Sequence, residues 1–270
     1  MINAKTRLIA LIGSPVEHSF GPVIHNAAFQ HLGLNYAYLA FNVKNLKVAI
    51  EAMRELNFAG YSVTLPHKEK IIKYLDRVDD LAGKIKAVNT IVNKDGLLVG
   101  YNTDAAGAVN ALKQETELKG KKVALIGAGG AARAIAFSLQ EQNAETTIFN
   151  RTFERAKSLA RAVGCNYENL QNLNHFKGDI IVNSTSVGMF PDVQKNPVEK
   201  KILKNYDYAF DAVYNPVETL FLKQAKQAGL KTISGLEMFL EQGLQQQKLW
   251  VGKSAPKELM REIVLKELSK

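Results

Sequence analysis

Residues 123–142, VALIGAGGAARAIAFSLQEQ, constrain the fold more than any other stretch of the chain. An apolar run, a cluster of glycines and an alanine-rich periodic segment follow one another without a break. That order reads as a buried strand, a tight turn and a helix, the unit from which parallel α/β sheets are built. The glycines are Gly127, Gly129 and Gly130, in the spacing G-x-G-G-x-x-R, so the third small position of the usual pattern falls on Ala132. Glycine permits the turn and lets backbone amides approach a pyrophosphate at the positive end of the helix. A plain strand–helix connection has no need of such a cluster. Gly127, Ala128, Gly129, Gly130 and Ala131 are therefore the expected pyrophosphate turn of a dinucleotide-binding domain.

The following strand, TTIFNRT, selects the dinucleotide. Proteins that bind NAD place an acidic residue there for the ribose 2′-hydroxyl. This chain has Asn150, Arg151 and Thr152, with Arg155 one helical turn later. A carboxylate would repel a 2′-phosphate, whereas guanidinium and hydroxyl groups bind one through charge-assisted hydrogen bonds. The alternative for two arginines at a helix start is solvated surface charge. With no acid at the strand end, the pattern favours NADP.

Strand and helix patterns also alternate through the first hundred residues. RLIALIG, YAYLAFNV and GYSVTLP read as strands, with PVIHNAAFQHLG and KVAIEAMRELN as helices between them, which predicts a mostly parallel sheet. TIVNKDGLLVGYNTD reads as a hairpin closed at KDG. After the polar stretch KQETELKGKK come RAKSLARAVG as a helix, and DIIVNSTSVGM and YAFDAVYNP as strands. The last two segments, EMFLEQGLQQQKLWVG and PKELMREIVLKELSK, are helical by periodicity. The expected class is α/β, with an N-terminal α/β domain, a Rossmann-type doubly wound domain and a ligand cleft between them.

Composition narrows the function classes. The 270 residues are 46% hydrophobic and 23% charged, with no apolar run of membrane-spanning length. The first residues lack the pattern of a signal peptide, and Cys165 is the single cysteine, so no intramolecular disulfide or cysteine metal cluster forms. These features predict a cytoplasmic protein without a membrane partner. The net charge of +9 comes from lysines interspersed with acids, as in KEKIIKYLDRVDD, rather than from an arginine-rich tract, so nucleic acid is not an expected partner. His18, His25, His31, His67 and His175 show no metal spacing, and no metal is expected.

Three polar clusters end apolar runs in the expected N-terminal domain: Thr64-Leu65-Pro66-His67-Lys68, Ala87-Val88-Asn89-Thr90 and Tyr101-Asn102-Thr103-Asp104. Strand ends of an open α/β sheet present such side chains to a ligand. A lysine there serves as a general acid or base once its pKa approaches neutrality, and an aspartate orients it and a hydroxyl. The alternative is that Lys68 is one of 35 basic residues and Asp104 a helix cap.

With these residues in view, the chain resembles the shikimate dehydrogenases nearly end to end. The matching motifs are GSPVEHSFGPVIHN, VTLPHKE, AVNT, GYNTDAAG, GAGGAARA, NRT, NSTSVGM, DAVYNP and GLEMFLEQGLQQQKLW. The resemblance implies NADPH-dependent reduction of 3-dehydroshikimate to shikimate, a step toward chorismate and the aromatic amino acids. It implies a substrate domain over residues 1–105 to which residues 237–270 return, and a Rossmann-type domain over residues 106–236. Lys68 and Asp104 correspond to the family's catalytic pair. Thr64, Asn89, Asp104 and Gln242 would hold ring hydroxyls, and Ser19 and Tyr214 the carboxylate. Gly127 to Ala131 correspond to the pyrophosphate turn, Asn150 to Arg155 to the 2′-phosphate site, and Ala212 and Gly235 to the nicotinamide end. Asp80 aligns with an acidic position near the cofactor. The partners implied are small molecules, for a monomer or homodimer.

One departure stands out. The family shows S-x-S in the carboxylate loop, and here the stretch is Ser19-Phe20-Gly21. Gly21 before Pro22 suits a helix start, whose amides would stand in for the missing hydroxyl. The expected result is a raised KM for shikimate. Rival readings are a quinate/shikimate dehydrogenase using NAD, which an acid at position 150 or 151 would favour, and a non-catalytic NADP-binding protein, which loss of Lys68 or Asp104 would mark.

Overall fold

The computed structural model describes residues 2–269. They form two compact units, one of residues up to Thr103 and from Gln242 onward, the other of Asp104–Glu241. Among the described residues no helix is long and apolar enough to cross a membrane.

In the first unit, β1 (Arg7–Gly13), α1 (Gly21–His31), β2 (Tyr36–Asn42), α2 (Leu46–Glu55) and β3 (Gly60–Val63) alternate as strand and helix. They are followed by β4 (Arg77–Val78), α3 (Asp80–Ile85), β5 (Thr90–Lys94), β6 (Leu97–Tyr101) and α4 (Thr103–Lys113), whose first residue closes the unit's first stretch. The sheet order is β2-β1-β3-β5-β6-β4. Successive residues of β1 feed opposite faces, as a strand requires. Ala10 and Ile12 join Ile50, Phe58 and Tyr61 in one apolar cluster, while Ile9 and Leu11 join Phe29, Tyr38 and Trp250 in another. Both faces are covered, which is why RLIALIG is apolar at nearly every position.

The sheet is mostly parallel, as expected, with β5 alone reversed, antiparallel to both β3 and β6. Lys94 pairs with Leu97, so Asp95 and Gly96 alone make the turn, with φ of 52° and 94°. Two central residues of positive φ define the hairpin turn whose twist matches the strands.

The second unit holds β7 (Lys122–Ile126), α5 (Gly130–Glu141), β8 (Glu145–Asn150), α6 (Phe153–Val163), β9 (Asn166–Asn169), β10 (Ile180–Asn183), β11 (Tyr208–Asp211), α7 (Leu220–Gln227) and β12 (Lys231–Ile233). Its six strands are all parallel, in the order β9-β8-β7-β10-β11-β12. Counted from β7 this is the 3-2-1-4-5-6 order of doubly wound dinucleotide-binding sheets. The short strands β4, β9 and β12 lie outside the sequence expectation, having two to four residues each and no periodicity to read.

Helix α8 (Gly235–Val251) runs from the second unit into the first, and α9 (Lys257–Leu268) packs on α1. The single tryptophan, Trp250, is buried on α8 and donates from Nε1 to the Ile91 carbonyl at 3.0 Å. A Cβ on Gly60 would lie 2.5 Å from that indole, so only glycine fits beneath it.

Candidate active site

One edge of the first sheet collects the polar clusters. Strands β1 and β3 are parallel and end there at Gly13 and Val63. Because β5 is antiparallel to β3, it begins at the same edge, after Asn89, and β6 returns to it at Tyr101. The reversal at β5, one arm of the expected hairpin, is therefore what brings Asn89 beside the chain that leaves β3. Thr64 is half-buried just past β3, and its N–H donates to Ile12 O at 2.9 Å. His67 is buried, with Nε2 donating to Val43 O at 2.7 Å. Lys68 is half-buried, and its carbonyl accepts from Val88 N–H at 2.8 Å.

Asn89 is buried, and its Oδ1 accepts from Thr103 N–H at 2.8 Å, Thr90 Oγ1 at 2.8 Å and Thr103 Oγ1 at 3.1 Å. Thr103 Oγ1 also lies 3.5 Å from Gln242 Oε1 on α8. Asp104 follows Thr103 in the first turn of α4, inside the helix rather than at its cap. Sequence reasoning passed over Thr103, although its place beside Asp104 at the end of an apolar run was the available signal.

In the loop after β1, Ser19 Oγ accepts from Gly21 N–H at 3.1 Å, which leaves the serine proton to point elsewhere. Gly21 is buried at the start of α1, with Pro22 behind it as expected. The amide of Gly21 is thus spent on Ser19, and Pro22 has none, so the first turn offers fewer donors to an anion than the sequence suggests. A Cβ at position 21 would sit 3.0 Å from Tyr38 Oη and 3.3 Å from Ser19 Oγ.

The second unit gathers its polar groups at the C-terminal edge of its sheet. Gly127 has φ of 113°, and a Cβ there would lie 2.6 Å from Ser184 Oγ. At Gly129 and Gly130 an added Cβ would meet nothing within 4 Å, so the backbone at the head of α5 faces open space. The unpaired amides of a first helical turn with no acidic residue suit a pyrophosphate there. At the end of β8, Asn150 Nδ2 donates to Thr152 O at 2.9 Å and closes a loop with Arg151, Thr152 and Arg155 exposed. Two cations and a hydroxyl at this strand end fit a 2′-phosphate. This arrangement fits NADP.

At the ends of β10 and β11, Asn183 and Asp211 carried no expected role, and the structure links them. Asp211 is fully buried. It accepts from Asn183 Nδ2 at 2.9 Å, Val213 N–H at 3.0 Å and Thr219 Oγ1 at 2.6 Å. Burial pushes its carboxyl up to about 6 despite those three donors. Asn183 Oδ1 accepts from Thr185 N–H and Oγ1, so one asparagine ties both loops together. Polar residues ending the runs DIIVN and YAFD were the signal. Gly235 packs so closely on this strand end that a Cβ would be 2.6 Å from the Ala212 carbonyl. Half-buried Tyr214 stacks on Phe239 at 5.1 Å, and burial raises its hydroxyl pKa, keeping it a donor.

Ser19, Gly21, Thr64, Lys68, Asn89 and Gln242 belong to the first unit, Asp104 and Tyr214 to the second. Asp80 is exposed in the first turn of α3 in the first unit, whereas the glycine turn, the Asn150–Arg155 loop, Ala212 and Gly235 belong to the second.

Three families match the chain in order. A shikimate dehydrogenase substrate binding domain matches residues 11–91, a shikimate/quinate 5-dehydrogenase domain residues 110–215, and a shikimate 5′-dehydrogenase C-terminal domain residues 235–265. The chain is 44% identical to the shikimate dehydrogenase (NADP+) of Methanocaldococcus jannaschii, with all of both chains covered. A crystal structure of a shikimate dehydrogenase in complex with NADP+ superposes with a TM-score of 0.95 at 43% identity, over 100% of this chain and 98% of that one. The Thermus thermophilus shikimate 5-dehydrogenase in complex with NADP(H) and shikimate gives a TM-score of 0.89 at 36% identity, over 97% and 99%.

Proposed function

The chain belongs to the shikimate dehydrogenase family, and from that premise we propose that it interconverts 3-dehydroshikimate and shikimate with NADP(H). What carries the reading is similarity along the whole of both chains to a dehydrogenase of that cofactor and substrate.

Bound at the glycine turn, the dinucleotide supplies the hydride acceptor or donor for the C3 carbon of the substrate. Lys68 exchanges the proton of the C3 hydroxyl, as general base in oxidation and general acid in reduction. Asp104 holds that hydroxyl and the lysine in register. Thr64, Asn89 and Gln242 bind the remaining hydroxyl groups, and Ser19 and Tyr214 donate to the carboxylate. Arg151, Thr152 and Arg155 hold the 2′-phosphate, while Ala212 and Gly235 border the nicotinamide. Asp80 contributes near the cofactor. The enzyme works in the cytoplasm as a monomer or homodimer, with small molecules as its ligands.

Initial rates with shikimate or quinate, each paired with NADP+ or NAD+, test the proposal. Shikimate with NADP+ should give by far the highest kcat/KM. Equal rates for quinate with NAD+ would assign a quinate/shikimate dehydrogenase instead, and no turnover with any pair a non-catalytic protein.

A further inference from the structure

A line of buried polar side chains runs through the first unit from α9's approach to Asn89, and the reaction itself does not use it. Gln247 is fully buried, and its Oε1 accepts from Ala255 N–H at 2.9 Å. A backbone N–H only donates, so the amide oxygen must face Ala255 and the NH2 the other way. There Gln247 Nε2 reaches Met260 Sδ and His25 Nδ1, each at 3.4 Å. His25 Nδ1 is therefore an acceptor, and a neutral ring of that kind carries its proton on Nε2. Nε2 donates to Gln246 Oε1 at 3.1 Å, and Gln246 Nε2 donates to Thr90 Oγ1 at 3.0 Å. The Thr90 hydroxyl then donates to Asn89 Oδ1 at 2.8 Å.

The far end is fixed independently, because Thr103 N–H, again only a donor, also points at Asn89 Oδ1 at 2.8 Å. The backbone groups at the two ends thus agree on one direction along the line, and the Thr90 hydroxyl also lies 3.1 Å from Thr103 Oγ1. Packing holds the ring at its centre: His25 stacks on Tyr38 with centroids 4.6 Å apart and meets Trp250 edge-on at 5.2 Å. Protonation would set a second donor against Gln247, and burial opposes it, pushing the His25 pKa down to about 3.

We infer that His25, Gln246 and Thr90 are positioning residues whose one-way donation, together with that of Thr103, locks the Asn89 amide, Oδ1 inward and Nδ2 toward the substrate. The inference rests on the reading of Asn89 as a substrate residue under the proposed function. Asn89 then meets its ring hydroxyl as a donor, so that hydroxyl must pass its own proton to an acceptor, a part the Asp104 carboxylate can play. A ligand with an ammonium group in that place has no lone pair for Asn89 and is rejected.

Thr90→Val removes the hydroxyl with little change in volume. It should raise the KM for shikimate about tenfold, the effect of one broken buried link, with the Kd for NADP+ unchanged. Thr90→Ser keeps the hydroxyl and should stay within about twofold of the parent. Gln246→Met breaks the line one link earlier and should repeat the valine result, which carries the test if Thr90→Val does not fold. In an Asn89→Ala background Thr90→Val should add nothing, because the group it positions is gone. An unchanged KM in both Thr90→Val and Gln246→Met, or an equal further rise in the Asn89→Ala background, overturns the inference. A parental KM for Asn89→Ala alone overturns the placement of Asn89, and the inference with it.

Discussion

Lys68 has its backbone tied to Val88 and its side chain half-buried at the edge where β1, β3, β5 and β6 converge. Removing the amine should touch proton transfer more than binding. Lys68→Ala is expected to lower kcat by about 10²–10⁴-fold while KM for shikimate moves little, and a near-normal kcat would remove Lys68 from that role. Gly21 poses a different question, since a serine there restores the family's hydroxyl but presses on Tyr38 Oη at 3.0 Å. A hydrogen bond to a charged carboxylate contributes about 1.5–3 kcal/mol, more than a displacement of a few tenths of an ångström should cost a ring edge. Gly21→Ser should therefore lower KM for shikimate, with a small drop in Tm from the crowding. An unchanged or higher KM in steady-state assays would count against the missing-hydroxyl explanation.

Among the elements, the head of α5 depends on a glycine for two separate reasons. Gly127 has a backbone conformation that side chains avoid, and Ser184 occupies the space a Cβ would take. Gly127→Ala should weaken NADP+ binding by more than about tenfold and lower Tm, read by titration and thermal melts. The strand end at β11 gives a pH dependence. The Asp211 pKa rises from 3.8 to about 6 on folding, so the native state holds its proton over a range where the unfolded chain has released it. Its contribution to stability is therefore fully present below about pH 4 and is lost as pH rises through about 6. Asp211→Asn should flatten that part of the stability profile in denaturant titrations from pH 4 to 7. A slope identical to the parent's would show that Asp211 does not titrate there.

The elements also show what a sequence can tell. The glycine turn and the Asp95-Gly96 hairpin are legible because each needs residue types that few other backbones need. Which arm of that hairpin runs against β3 is not, since TIVN is equally apolar in a parallel or an antiparallel place, and β12 is too brief for any period. Lys68 and Asp104 are visible as polar ends of apolar runs. The buried His25 and Gln246 are not, because their meaning lies in what faces them across α1, α8 and β5. Asn183 and Asp211 fall between: their positions at strand ends are plain, and their shared hydrogen bonds are not.

At the scale of the whole molecule, the two units can be watched by different signals. Trp250 is the only tryptophan, and it is enclosed in the first unit, bonded to Ile91 and edge-on to His25. Its fluorescence is therefore a private signal of that unit, while circular dichroism averages the helices of both. NADP+ held by the second unit should raise the dichroism midpoint on heating by mass action. If the units melt independently, the tryptophan midpoint will stay where it was. If they melt as one cooperative body, the indole will report a nucleotide it never touches.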